Sequence, residues 1–174
     1  IHSGKTYLLN EDVKVIPVRN TEGGIFNDHN HLNYLTAPSD LSEIHKLTVP
    51  AGAEYSLTLS DGTRIFLNSG SELTYPAVWN KEQREVTLTG EAYFIVAPDT
   101  VRPFIVNAAE MEIIVTGTSF NVHAYPGREN IATTLEKGGV TVRLDECLWE
   151  LKPGTQLIFD RSVHTVHTRE TDTS

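Results

Sequence analysis

The sequence predicts an all-β fold of short strands with very little helix. Three observations carry that expectation. Runs rich in Val, Ile, Thr, Tyr and Phe recur, bounded by Gly, Pro, Asn and Asp. Apolar residues alternate with polar ones at the strand period of two. Glycines fall where the apolar pattern changes phase, as in Val86-Thr87-Leu88-Thr89-Gly90 and Ile113-Ile114-Val115-Thr116-Gly117.

The elements read as follows. Tyr7 to Leu9 and Val13 to Val18 look like two strands. Thr21 to Asn33 is rich in Gly, Asn, Asp and His and reads as an exposed loop. Ser39 to His45 is the best helix candidate, with Asp40 and Glu43 at capping-box spacing and Pro50 limiting its extent. Tyr55, Leu57 and Leu59 form a strand, and Asp61-Gly62 supplies the positive backbone angles of a two-residue hairpin turn. Ile65 and Leu67 return from it. A turn from Asn68 to Ser71 leads to Leu73 and Tyr75, which Pro76 stops. Asn80 to Arg84 reads as a polar turn before Val86 and Leu88.

An internal echo follows. Gly117 lies 117 − 90 = 27 residues after Gly90 and aligns Val86 and Leu88 with Ile113 and Val115, and Tyr93 and Ile95 with Phe120 and Val122. In both copies this alignment implies a parity slip at the glycine, hence a corner in the chain. A looser copy centres on Gly138-Gly139, and Lys152-Pro153-Gly154-Thr155 makes a further turn. Strand, corner and strand at this period suit stacked coils of a β-solenoid or β-helix, with a sandwich-like stack as the alternative. Residues 1–46 are expected to form an arm packing on a main unit at 47–164, with Thr165 to Ser174 a polar linker toward a further C-terminal domain.

Composition narrows the function. With 39% hydrophobic residues, a chain of 174 residues can bury a core. The formal net charge of −9 disfavours nucleic acid and anionic membrane as partners, because both need clustered Lys and Arg. The single cysteine, Cys147, cannot form an internal disulfide or a Cys-based metal site and is expected to be incidental or half-buried. No apolar run is long enough to cross a bilayer, and a chain starting at Ile1 reads as a soluble fragment of something longer.

No constellation points to catalysis. His29 and His31 have the spacing of a cupin-like metal pair but sit in the loop-like segment, and no Glu follows at a motif spacing. His164 and His167 would face opposite sides of a strand. Glu91 follows Gly90 within an apolar region and is expected to bond backbone amides at the corner rather than act as an acid or base. Asp61 has a turn explanation, since its side chain can bond its own backbone. Tyr75, Trp79, Tyr93 and Tyr125 are the residues a sugar platform would use, although such aromatics commonly serve packing. A carbohydrate-binding or cupin-like metal-dependent β-domain is therefore the alternative to a recognition module.

Seven blocks in order carry a resemblance. They are Leu59-Ser-Asp-Gly-Thr-Arg-Ile-Phe-Leu-Asn-Ser-Gly-Ser71, Leu73-Thr-Tyr-Pro76, Arg84-Glu-Val-Thr-Leu-Thr-Gly-Glu-Ala-Tyr-Phe-Ile-Val96, Pro103-Phe-Ile-Val106, Val115-Thr-Gly-Thr-Ser-Phe-Asn-Val122, Thr133-Thr-Leu-Glu-Lys-Gly-Gly-Val140 and Leu151-Lys-Pro-Gly154. Together, over about 47 to 160, they resemble the periplasmic domain of FecR-family anti-sigma factors, in a version similar to the Bacteroidota branch. Trp79 departs from the usual Phe, and the region before Val49 matches poorly. The resemblance marks Asp61, Gly62, Asn68, Gly90, Glu91, Gly117, Thr118, Asn121, Gly138, Pro153 and Gly154 as structural motif residues. It implies no enzyme activity, no cofactor and no metal. It implies the periplasmic part of a single-pass inner-membrane regulator. That part would contact the N-terminal signalling domain of a TonB-dependent outer-membrane transducer. An extracytoplasmic-function sigma factor would be held through a cytoplasmic segment that this chain does not include.

Overall fold

The computed structural model describes residues 15–17, 24–28, 30–34 and 44–171. They form an all-β structure. Its strands are β1 (Val15–Pro17), β2 (Gly24–Asp28), β3 (His31–Tyr34), β4 (Ile44–Thr48), β5 (Tyr55–Thr58), β6 (Arg64–Leu67), β7 (Glu72–Pro76), β8 (Arg84–Ile95), β9 (Phe104–Ala108), β10 (Met111–Val115), β11 (Ser119–Ala124), β12 (Asn130–Lys137), β13 (Val140–Leu144), β14 (Cys147–Leu151), β15 (Thr155–Asp160) and β16 (Thr165–Glu170).

The sheet branches at β8. One arm runs β1-β2-β3-β5-β6-β8-β11-β12-β15-β16, and the other carries β4, β7, β9, β10, β13 and β14. β8 serves both because it is 12 residues long. Its first half pairs with β7 and, in parallel, with β9. Its second half pairs with β6 and β11. After β8 the chain alternates arms hairpin by hairpin: β9–β10 in one, β11–β12 in the other, then β13–β14 and β15–β16. The inward faces of both arms meet in one hydrophobic core. Phe94 stacks on Phe120 with centroids 5.0 Å apart, Phe104 lies 6.2 Å from Phe94, and Trp79 meets Phe104 edge-on. Each such fully buried ring contributes about 1.5–3 kcal/mol through removal from water.

The architecture is not a stack of parallel coils. Among the pairings of the described strands only β3–β5 and β8–β9 are parallel. The glycine corners are crossings between arms, and they differ. At Gly117 the expected slip occurs: Met111, Ile113 and Val115 point inward before it, and Thr118, Phe120 and Val122 after it. At Gly90 it does not. Val86, Leu88, Ala92 and Phe94 keep one parity, so Tyr93 and Ile95 lie on the outer face. The echo was therefore displaced by one residue. Phe94, not Tyr93, is the neighbour of Phe120 in the sheet. Gly90 is required for a different reason. Its φ is +99°, and a Cβ there would lie 2.7 Å from the Ser71 Cα.

Several local expectations change. The Asp61-Gly62 turn is a three-residue loop, closed by the Leu59 amide donating to the Thr63 carbonyl (2.9 Å), and only Gly62 in it has positive φ. Ile44 and His45 belong to β4 rather than to a helix, and residues 39–43 lie outside the described residues. The segment read as a loop contains the β2–β3 hairpin. The strand expected at Tyr7 to Leu9 lies outside the described residues. The stretch read as a linker forms β16 at Thr165–Glu170, paired along β15. It is polar because it is an end strand that presents only Val166 toward the core. Cys147 is exposed.

Candidate functional site

Two polar nodes gather most of the motif residues. The first is buried. Arg84 opens β8 on the same parity as Val86 and Leu88, so the alternation that buries them draws its side chain inward, where it is fully buried. Its Nη1 donates to Asp61 Oδ2 (2.7 Å) and to the Ala97 carbonyl (2.9 Å), and its Nε donates to the Arg102 carbonyl (3.0 Å). The guanidinium lies over the Phe104 ring at 5.5 Å. Asp61 also accepts from the Thr63 amide (3.0 Å) and hydroxyl (2.9 Å). The node ties the β5–β6 loop to the start of β8 and to the loop before β9. In the sequence Arg84 ends the stretch Asn80 to Arg84 that reads as a polar turn, yet it opens a strand and is buried. The available signal was its parity with Val86 and Leu88.

The second node is open. On the outer face, Glu91 Oε2 accepts from Asn68 Nδ2 and Oε1 accepts from Asn121 Nδ2, both at 3.0 Å. The Glu91 main chain is clamped as well. Its amide donates to Ser71 Oγ (2.8 Å), and its carbonyl accepts from the Ser71 hydroxyl (3.0 Å) and the Asn68 amide (2.9 Å). The carboxylate therefore bonds side-chain amides rather than the backbone amides expected at the corner. Asn68, Glu91 and Asn121 line a groove of about 420 Å³ with Glu54, Phe66 and Tyr93. Phe66 is 42% exposed and sits 6.2 Å from the Tyr93 ring. Tyr93 donates to Glu136, and burial followed by that carboxylate pushes its phenol up. Phe66 is not among the residues the family pattern marks; its only signal in the sequence is an apolar residue on the solvent parity between Ile65 and Leu67.

The remaining motif residues pack elsewhere. Thr118 donates to the Gly139 carbonyl (2.8 Å), and its hydroxyl crowds the position a Gly138 Cβ would take. Gly117 closes on Pro98, and Pro153 and Gly154 turn β14 into β15. Of the aromatics considered for a platform, Tyr75 and Trp79 are buried. Tyr125 donates to the Ser69 carbonyl. Tyr75 accepts from the Tyr34 hydroxyl, which also bonds His45, and burial raises the Tyr75 phenol far above its ordinary value. His29 lies outside the described residues, while His31 meets Ser56 Oγ (2.6 Å) and Thr58 Oγ1 (3.1 Å). His164 faces Asp145, and His167 meets Thr165. Among the described residues no three His, Cys, Asp or Glu side chains converge on a metal-sized space. Among them no helix is long and apolar enough to cross a membrane.

The family model for the FecR protein matches residues 45–141, which contain both nodes. The chain belongs to the FecR family. Its fold is similar to two crystal structures of a candidate anti-sigma factor from Parabacteroides distasonis. One, at 2.50 Å resolution, is 33% identical with a TM-score of 0.73, covering 75% of this chain and 61% of that one. The other, at 1.65 Å, is 34% identical with a TM-score of 0.72, covering 74% and 60%. The chain thus spans about three fifths of the length of these two structures. No curated protein matches it.

Proposed function

We propose that this chain is the periplasmic signal-receiving module of a transmembrane anti-sigma factor. It receives a signal by contact with the N-terminal signalling domain of a TonB-dependent outer-membrane transducer. The full protein passes that signal to an extracytoplasmic-function sigma factor through other segments. The observation that carries this reading is the family match over 45–141, on a sheet shared with the Parabacteroides structures.

Two features of the molecule support contact rather than catalysis. Glu91, the carboxylate best placed for chemistry, is held by two amides and faces no base among the described residues. The strands β14 and β16 end their arms, each pairing on one side among the described residues. Such edges offer main-chain donors and acceptors to a partner strand.

Co-purification tests the reading. The full periplasmic region, expressed with the transducer's signalling domain, is expected to retain it through size exclusion. Separate elution of the two at micromolar concentration would overturn the proposal.

A further inference from the structure

We propose that the groove over Phe66, Tyr93, Glu91 and Asn121 is a binding site for a neutral saccharide. The lining has two kinds of surface. One is a fixed aromatic face: Phe66, exposed on a strand, with Tyr93 beside it. The apolar C–H face of a pyranose ring covers such a surface and removes it from water. The other is a row of part-used hydrogen-bonding groups. Each Glu91 oxygen accepts one amide hydrogen and keeps further lone-pair capacity. Asn68 and Asn121 each have two amide hydrogens, of which one is spent on Glu91. Acceptor and donor therefore stand side by side, which matches a hydroxyl that donates to one group and accepts from the next.

Other ligand classes fit less well. An anion would meet Glu54 and Glu91; no Lys or Arg among the described residues lines the groove, and Arg64 acts on the Tyr93 phenol from outside that lining. A wholly apolar ligand would remove water from the spare Glu91 lone pairs and the second amide hydrogens of Asn68 and Asn121 and give them nothing in return. A cationic peptide would pair its ammonium groups with the carboxylates and its main-chain carbonyls with the amide hydrogens, so it is the competing outcome of the test below. The groove volume of about 420 Å³ lies within the range usual for small-ligand sites. The site is also pre-formed. Glu91 is clamped by Ser71 and Asn68, and Tyr55, Phe66, Tyr93 and Asn121 sit on β5, β6, β8 and β11, so little order has to be gained there on binding. None of this depends on the transducer reading. The aromatic platform considered from sequence used Tyr75, Trp79, Tyr93 and Tyr125; Tyr75 and Trp79 are buried, whereas this one keeps Tyr93 and is centred on Phe66.

The test is an NMR titration of the full periplasmic region with neutral hexasaccharides of glucose, xylose, mannose and N-acetylglucosamine, and with hexalysine. At least one saccharide at millimolar concentration is expected to shift the amides of Phe66, Glu91, Tyr93 and Asn121. Phe66→Ala and Asn121→Ala are each expected to weaken that binding by about tenfold or more while keeping the native spectrum. Three outcomes overturn the proposal: no saccharide shifts those amides; Phe66→Ala binds as the wild type does; or hexalysine shifts them in a salt-dependent way while the saccharides do not. Co-purification of the transducer domain with the same variants separates this proposal from the previous one. Loss of sugar binding with the transducer retained touches only the groove.

Discussion

Asp61 with Arg84, and Glu91 with Asn68 and Asn121, are both carboxylates held by nitrogen donors, and both arise from blocks of the same family pattern. Their surroundings separate them. The Arg84 side chain has no exposure and that of Asp61 has 10%, so their ion pair is largely shielded from solvent. Glu91 uses the same kind of hydrogen bond on a face that opens into a groove. Burial turns the first node into a tie between loops. Partial exposure leaves the second with bonding capacity to spare. The residue types alone did not separate the two roles; the parity of the strand positions did.

The largest expected effect breaks the buried node. Arg84→Ala leaves Asp61 without its cation and the Ala97 carbonyl without its donor. It should cost about 3–5 kcal/mol in denaturant unfolding. The node itself is not a large net stabiliser, because Arg84 Nη2 is buried without a partner among the described residues. The double variant Asp61→Asn, Arg84→Met should therefore recover much of the loss. Full additivity of the two single changes would contradict the coupling.

Next comes the crossing that carries Glu91 to the open face. Gly90→Ala places a Cβ against the Ser71 main chain at positive φ and is expected to cost about 2–4 kcal/mol. Gly117→Val at the other corner should cost about 2 kcal/mol or more, since a Cβ there lies 2.9 Å from the Pro98 Cα. Thermal unfolding reads both, and a neutral result at either position would remove its corner from the account.

A smaller effect is set by pH. Burial raises the Tyr75 phenol above its ordinary value of 10. The neutral form is favoured by folding, so its contribution is complete below pH 10 and is lost as pH rises from there toward the folded value. The unfolding temperature should fall above pH 10, and less steeply in Tyr75→Phe. Identical slopes would show that Tyr75 is not the buried phenol responsible.

Strand content and the glycine crossings were legible because period-two alternation and Gly punctuation are local signals. The Gly117 slip is visible in Val115, Thr118 and Phe120. The Gly90 register was misread because Tyr93 and Ile95 are apolar yet face outward, where Tyr93 has Phe66 and Glu136 for company. β16 was missed because an end strand needs few apolar residues. The arm-by-arm alternation of hairpins was not legible, since it is fixed by long-range pairing through β8. Of the open node, Asn68, Glu91 and Asn121 were marked by the family pattern, but that they meet depends on β8 pairing with β11 and on the turn that follows β6.

The account rests on a division of labour: the buried node cannot lose one partner without cost to the fold, and the open node is free to bind. Denaturant unfolding of Arg84→Ala and Asn121→Ala side by side tests it most directly. Arg84→Ala should lose about 3–5 kcal/mol and Asn121→Ala no more than about 1 kcal/mol. Equal losses at the two positions would show that the open node is as structural as the buried one, and would contradict the account.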